Sequence, residues 1–152
     1  MALPTSIELR IVTPDRAIVQ EQVDEVEIPG VEGYFGVLPG HTPLLAELSV
    51  GELWYRRGQD KTYLAIAFGF AEVLPERVTV LAQIAERAEE IDPARAEEAK
   101  SRAEARLRES AQDVDYDRAR GALQKALARL QVASRMQLSG RVGRQRTPPP
   151  QS

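Results

Sequence analysis

The chain has 152 residues, a net charge of −3 and no cysteine, which suits one medium domain or one small domain with an appendage. The missing cysteines exclude disulfides, cysteine-ligated metals and thiol catalysis. No apolar run approaches the roughly 20 residues that cross a bilayer, and the N-terminus lacks the basic and apolar blocks of an export signal. We therefore expect a cytosolic protein, or one held at a membrane only through partners.

Charge is distributed unevenly along the chain. Residues 1–90 hold 7 Lys/Arg and 15 Asp/Glu, whereas residues 91–152 hold 13 Lys/Arg and 8 Asp/Glu. A split of this kind predicts two modules with different partners. The basic half could bind nucleic acid, an anionic lipid surface or an acidic protein surface.

Residues 1–88 predict a β domain. Apolar and polar residues alternate near the N-terminus and again at 26–28 and 78–80, and turn signals recur about every 8–12 residues. Residues 62–74 form a mostly apolar run that Gly69 interrupts. This pattern favours an antiparallel sandwich or barrel over a parallel sheet.

A loop rich in glycine and proline lies inside the β domain, at residues 30–43, with the sequence GVEGYFGVLPGHTP. Glycine accepts positive φ and proline fixes φ, so the segment is a shaped surface loop of the kind that often carries function. The glycine spacing fits neither a dinucleotide fingerprint nor a P-loop. The alternative is a plain connection between two strands.

The single histidine, His41, lies in this loop. Without a cysteine or a second histidine there is little for a transition-metal site, and no acid and base pair accompanies it. A small β-domain enzyme that uses His41 therefore lacks partners for its chemistry. A structural or interface role is expected instead.

Residues 89–138 predict a helical hairpin. Asp92 followed by Pro93 is a helix start, because the carboxylate caps free amides and proline loses a donor that had no partner. The residues at helical spacing are Ala96, Ala99, Ala103 and Leu107, then Ala119, Ala122, Leu123, Ala126, Leu127, Leu130 and Ala133. A break at 110–113 makes the helices antiparallel neighbours, the second beginning near Asp115. Alanine buries little apolar area, so we expect the hairpin to leave its dock readily.

The C-terminal part of the chain is basic. Residues 139–152 are polar and proline-rich, so we expect a disordered tail. Arg118, Lys125 and Arg129 share one flank of the second helix, as an ordinary polar face or as a probe for an acidic partner or a phosphate. A nucleic-acid-binding protein that uses this helix and tail is the main functional alternative. The acidic sheet half and the lack of an aromatic and basic stacking face argue against it.

The order of these motifs resembles the epsilon subunit family of the bacterial F-type rotary ATP synthases. The matching segments are the PGH loop at 39–41, AFGFAEV at 67–73, RVTVLA at 77–82, IDPARA at 91–96 and DVDY at 113–116. The resemblance covers residues 5 to about 138 and implies an α+β fold, with an antiparallel ten-stranded β-sandwich followed by an antiparallel α-helical hairpin. It also implies a non-catalytic central-stalk subunit on the cytoplasmic face of a bacterial plasma membrane, without metal or required cofactor.

The resemblance implies three protein partners and no nucleic acid. The loop expected against the c ring comprises Val31, Glu32, Gly33, Tyr34 and Phe35. The position expected near the gamma subunit is His41. The extended hairpin of the family enters the alpha/beta catalytic hexamer and blocks rotation in the hydrolysis direction. The residues expected to meet an acidic loop of the beta subunit there are Arg118, Lys125, Arg129 and Arg135.

Some members of this family bind ATP while the hairpin is folded down, which implies ATP as a regulatory ligand. The matching positions are Glu86, Ile91, Asp92, Arg95, Arg102, Lys125 and Arg129. Lys125 stands where the family members that bind ATP well have an arginine, so the bidentate contact that a guanidinium would make is lost. The alternative is that Asp92 is only a helix cap and the arginines are solvated.

Overall fold

Seven β-strands form the N-terminal part of the molecule. A computed structural model describes residues 3–109 and 113–144, and in the last helix the side chains of 115–136. The strands are β1 (Ile7–Val12), β2 (Ala17–Val23), β3 (Glu25–Gly30), β4 (Gly33–Val37), β5 (Leu44–Arg57), β6 (Asp60–Val73) and β7 (Arg77–Arg87). They are hydrogen-bonded in the order β2-β1-β7-β6-β5-β3-β4. Because β2 also contacts β5, the sheet folds over itself into two layers.

The expectation of ten antiparallel strands is corrected in two respects. β1 and β7 run parallel, with Leu9 opposite Val78, and the chain between them is the long crossover that a parallel pair requires. β5 and β6 have 14 residues each. At about 3.3 Å per residue each spans about 46 Å, so these strands continue through both layers where the turn signals suggested separate strands. The described residues therefore contain seven strands in one mixed sheet.

The buried face of β6 changes side at Phe68 and Gly69. Ile66 is buried before this point and Ala71 after it, so the alternation of the strand slips by one residue. Phe68 and Gly69 have φ angles of 59° and 123°. Glycine is required at 69, because a Cβ there would overlap the carbonyl oxygen of Leu81. As a result, the first half of β6 presents an outer face on which helices can pack.

Large aliphatic side chains fill the space between the two layers. The bulkiest fully buried residues are Ile7, Leu9, Ile11, Ile28, Leu48, Leu53, Leu64 and Ile66. Most of them alternate with more polar outward neighbours, as expected for a sheet with one face on a core, while Ile66 lies between Ala65 and Ala67, which are also buried. The core thus belongs to the sandwich and does not depend on the helices.

Two helices follow the sandwich. A short 3₁₀ turn, Ala88–Glu90, leads into α1 (Pro93–Glu109) and then α2 (Asp113–Arg144). The predicted cap is confirmed, since Asp92 Oδ1 accepts hydrogen bonds from the N–H groups of Ala94 at 3.0 Å and Arg95 at 3.3 Å. α1 packs on α2, and α2 packs on β5, β6 and the 3₁₀ turn.

Small side chains dominate the helical interface, as the sequence predicts, but the contact face of α2 is broader than one stripe. Ala122 and Leu127 were expected in contact and are exposed, whereas Ala128 and Val132 are buried. The reason is that α2 touches α1 on one side and the sandwich on another. A single helical stripe cannot represent two contact faces.

α2 also corrects the expected extent of the tail. The helix continues to Arg144, so residues 139–144, which we expected to be disordered, are helical. A single glycine inside a helix costs only about 1 kcal/mol relative to alanine, so Gly140 alone does not end it. Residues 145–152 of the expected tail lie outside the described part of the chain.

Candidate functional sites

A carboxylate and an arginine meet where α2 crosses the outer face of β5. Glu52 is 5% exposed and is the one buried charged residue that the structure describes. Arg135 donates to both of its oxygens, from Nε at 3.2 Å and from Nη2 at 2.9 Å. The ring of Tyr63 lies 4.8 Å from the guanidinium. A carboxylate this deeply buried needs a charged partner, and Arg135 of the docked α2 supplies it.

Hydrogen bonding to Glu52 raises the pKa of Arg135, against an opposing desolvation effect and with help from the charge of the same carboxylate. The guanidinium therefore stays charged at any pH at which the protein is folded. Docking through this pair does not depend on titration of the arginine.

A second arginine and a lysine of α2 also contact the sandwich. Arg129 binds Glu86 through two parallel hydrogen bonds, Nη2 to Oε1 at 2.6 Å and Nε to Oε2 at 3.0 Å. This bidentate geometry is the strong form of an arginine–carboxylate pair. Lys125 Nζ lies 5.4 Å from the ring centroid of Phe68, within the range of a cation–π contact. We call Glu52, Tyr63, Phe68 and Glu86 together the hairpin dock.

Arg118 lies away from the hairpin dock. It is exposed and borders a shallow depression with Arg106, Glu109 and Asp115. From Arg118 to Arg135 the helix covers about 26 Å at 1.5 Å per residue. The four cations predicted to meet an acidic partner are thus divided, with Lys125, Arg129 and Arg135 turned to the sandwich and Arg118 presented to solvent.

The residues predicted to bind ATP line an open cleft of about 350 Å³ where the hairpin leaves the sandwich. Those that border it are Glu86, Ile91, Asp92, Arg95, Arg102 and Arg129. Lys125 borders a different depression, beside Ala67 and Ala128. Arg95 and Arg102 are exposed, whereas the guanidinium of Arg129 is bound to Glu86. The cleft offers two available cations for an anionic group, next to three carboxylates.

The loop predicted to face the c ring forms a wall of a groove of about 440 Å³. Residues 30–35 line one side and residues 44–47 the other. Val31 and Tyr34 are each 55% exposed, while Phe35 packs partly against the sandwich core. Of the two aromatic side chains in this loop, Tyr34 is therefore the one available to a partner.

His41 makes local contacts. Its Nδ1 lies 2.6 Å from the carbonyl oxygen of Thr42, and its backbone N–H donates to the carbonyl of Leu38 at 3.2 Å. Within residues 3–109 and 113–144, no cluster of histidine and acidic side chains could hold a metal ion. In the same described ranges, no helix combines the length and the apolar character needed to cross a membrane.

Sequence reasoning missed the sandwich side of the hairpin dock, apart from Glu86. Glu52 was recognisable as a lone acid between the apolar residues Gly51 and Leu53 of a strand. Tyr63 and Phe68 carried no such signal, because their outward orientation follows from the change of face in β6. Strict alternation places Tyr63 and Phe68 on opposite faces of the strand, so without the slip it assigns one of them to the wrong side.

Comparison with known families covers most of the chain. Residues 6–88 match the family model described as "ATP synthase, Delta/Epsilon chain, beta-sandwich domain". Residues 89–134 match the model described as "ATP synthase, Delta/Epsilon chain, long alpha-helix domain". The two matches meet where the 3₁₀ turn joins the sandwich to the hairpin.

Individual relatives point to the same family as the two family models. The chain is 57% identical over 102 residues to the ATP synthase epsilon chain of Koribacter versatilis. The aligned stretch covers 67% of this chain and 72% of that one. The chain is 56% identical over 101 residues to the epsilon chain of Syntrophobacter fumaroxidans, covering 66% and 75%.

Two solved structures are similar. A chain of the Euglena gracilis mitochondrial ATP synthase superposes with a TM-score of 0.78 and 29% identity, covering 88% of this chain and 84% of that one. A chain from the central stalk and c ring of the Tetrahymena thermophila enzyme has a TM-score of 0.56 at 12% identity, covering 89% and 98%, and supports the fold alone. Taken with the family matches and the bacterial relatives, these likenesses show that the chain belongs to the epsilon-chain family of the F-type ATP synthases, as a non-catalytic subunit of the central stalk.

Proposed function

We propose that the sandwich joins the gamma subunit to the c ring, so that rotation of the ring is passed to the alpha/beta catalytic hexamer. Two surfaces support this role. The groove beside Val31 and Tyr34 suits the polar loops of the c ring. Phe70 and Leu81 lie opposite each other on adjacent strands and are 52% and 56% exposed, and exposed apolar side chains on neighbouring strands suit a protein interface.

The hairpin inhibits ATP hydrolysis when it leaves the hairpin dock and extends toward the catalytic hexamer. The observation that carries this proposal is that α2 docks through arginine–carboxylate pairs, Arg135 with Glu52 and Arg129 with Glu86. An acidic loop on the beta subunit offers the same chemistry. Both arginines can therefore exchange one carboxylate for another, and neither state leaves a cation unpaired. Such an exchange keeps two arrangements close in free energy, as a switch requires.

The test is ATP hydrolysis by a reconstituted catalytic head with either the full chain or a chain truncated after Glu90. Truncation is expected to raise the hydrolysis rate several-fold. Arg118→Gln in the full chain should give part of that rise, because Arg118 meets the acidic loop only in the extended state. The matched control is Arg108→Gln, an exposed arginine of α1 outside the hairpin dock. Equal rates for the full and truncated chains would leave the coupling role alone.

ATP acts as a regulatory ligand of the cleft below α1 and is not required for folding. Arg95 and Arg102 bind the phosphates, and Arg129 joins them when it is released from Glu86. Calorimetry with the isolated chain should show binding that Arg95→Gln or Arg102→Gln weakens by about tenfold or more, since each removes a charge-assisted contact. Arg108→Gln is again the control. No heat at millimolar ATP would reject the proposal.

The subunit lies on the cytoplasmic face of the bacterial plasma membrane and is held there by its partners. Membrane fractions that contain the complex should retain it, and dissociation of the complex should release it. The alternative of a nucleic-acid-binding protein is disfavoured because Arg129 and Arg135 face carboxylates of the sandwich. A gel shift with duplex DNA and with RNA at physiological salt is expected to show no complex.

A further inference from the structure

The strand that carries Glu52 bows away from its neighbour. Gly30 of β3 lies opposite Leu48 of β5, and Glu27 lies opposite Trp54. Between these two pairs β3 advances by three residues and β5 by six, so β5 carries three extra residues in this stretch. Pro29 falls inside the interrupted stretch and has no N–H to give to the ladder. Backbone groups of the bowed stretch therefore need other partners.

The side chain of Tyr34 fills this gap. The backbone N–H of Glu52 donates to Tyr34 Oη at 3.3 Å. The ring passes over Gly51, where a Cβ would overlap the phenol oxygen and lie 2.9 Å from Cβ of Pro29. Glycine at 51 thus leaves the room that Tyr34 needs. The tyrosine of the exposed loop is fixed to the same residue whose carboxylate holds Arg135.

We propose that Tyr34 is a positioning residue for the Glu52–Arg135 pair, so that loss of its contact with Glu52 shifts the hairpin toward its released state. The ring of Tyr34 is exposed in the groove, while its hydroxyl holds the backbone of Glu52. Displacement of the ring removes the hydrogen bond that Tyr34 Oη accepts from this N–H. Glu52 then moves relative to Arg135, and the buried pair loses its geometry. The inference rests on the proposed movement of the hairpin and names a residue that controls it.

The experiment measures the released-to-docked ratio of the hairpin in the full chain by pulsed electron paramagnetic resonance. Because the chain has no cysteine, spin labels can be placed at Asp60→Cys and Ser134→Cys, which are both exposed positions. The variants are Tyr34→Phe, Glu52→Gln and the two combined. Tyr116→Phe, which removes the same hydroxyl from an exposed ring of α2, is the matched control.

Glu52→Gln should raise the released-to-docked ratio at least tenfold, and Tyr34→Phe about three- to tenfold. The double variant should equal Glu52→Gln within about twofold, since residues that act through one contact are not additive. Gly51→Ala, which pushes the ring out of its place, should match Tyr34→Phe. The control should leave the ratio unchanged.

The outcomes distinguish failure of the positioning role of Tyr34 from failure of the proposed hairpin movement. If Glu52→Gln releases the hairpin but Tyr34→Phe does not, or if their effects multiply, the positioning role of Tyr34 is overturned while hairpin movement stands. If no variant moves the ratio, both the positioning role and the proposed hairpin movement are wrong.

Discussion

The sandwich and the hairpin are held by different chemistry. Inside the sandwich, fully buried leucine and isoleucine side chains such as Leu53 and Ile66 each contribute roughly 1.5–3 kcal/mol by leaving water. Where α2 meets α1 and the sandwich, the buried side chains are mostly alanines, and two arginine–carboxylate pairs fix the position. The core of the sandwich packs within one domain, whereas a carboxylate on another protein can replace Glu52 or Glu86. The chain thus combines a permanent part, the sandwich core, with an exchangeable part, the docked hairpin.

The sharpest test of the permanent part is Leu53→Ala. Truncation of this fully buried side chain should lower the free energy of unfolding by about 2–5 kcal/mol. Urea denaturation followed by circular dichroism measures the change. Leu127→Ala, the same substitution at a 46% exposed position of α2, should change stability by less than about 0.5 kcal/mol. Equal losses of unfolding free energy at the two positions would contradict the division between sandwich core and hairpin.

The exchangeable part is tested by Arg135→Gln. The variant leaves the buried carboxylate of Glu52 without its cation, which should weaken docking by about 1–3 kcal/mol. Hydrogen exchange of α2 should rise while that of the core strands stays as it was. Arg120→Gln, at an exposed position of the same helix, should leave both unchanged. Faster exchange in the core strands would show that the hairpin also stabilises the sandwich.

Phe68→Gly should act on the two parts in opposite directions. The positive φ of Phe68 strains a residue with a side chain, so glycine should stabilise the sandwich by about 1 kcal/mol. Loss of the ring removes the contact with Lys125 and should weaken docking by about 0.5–1 kcal/mol. Urea midpoints report the first effect and hydrogen exchange of α2 the second. Phe70→Gly, two residues further along the same strand, should give no stabilisation.

Another expected effect, of similar size, is local to α1. Asp92→Ala removes the acceptor for two backbone N–H groups and should cost about 1 kcal/mol in the first turn. Faster exchange of the amides of that turn is the readout. Asp92→Asn retains an oxygen at the cap and should lose only a fraction of this. If asparagine frayed the helix as much as alanine, charge rather than capping would be the cause.

Local patterns predicted the elements better than their arrangement. The cap at Asp92, the alanine stripes and the β class of residues 1–88 follow from residues close in sequence. The parallel pairing of β1 with β7 does not, because it joins segments about 70 residues apart in sequence, a separation at which no local pattern acts. The slip at Phe68 also escapes prediction, because the change of face depends on packing against the neighbouring strand, where Gly69 lies against the backbone of Leu81.

For the candidate sites, too, residues close in sequence were predictable and contacts between distant segments were not. The IDPARA segment at 91–96 and the basic residues of α2 were visible in the sequence. In the structure most of that segment lines one cleft with Arg129, whereas Arg118, Lys125 and Arg135 lie elsewhere. Glu86 was named from the sequence for the ATP cleft, but its pairing with Arg129 and the pairing of Glu52 with Arg135 could not be predicted, because both depend on how α2 lies on the sheet. Glu52 differs from the other acidic residues through its burial under α2, which is a property of packing.

The pairing of β1 with β7 also sets the order of events during synthesis. β1 leaves the ribosome early, but its partner begins at Arg77, and at about 5–20 residues per second the partner arrives about 4–14 s later. The sandwich can therefore close only when nearly all of its strands have been made. The helices, which follow in the chain, are made after the last strand of the surface on which they dock.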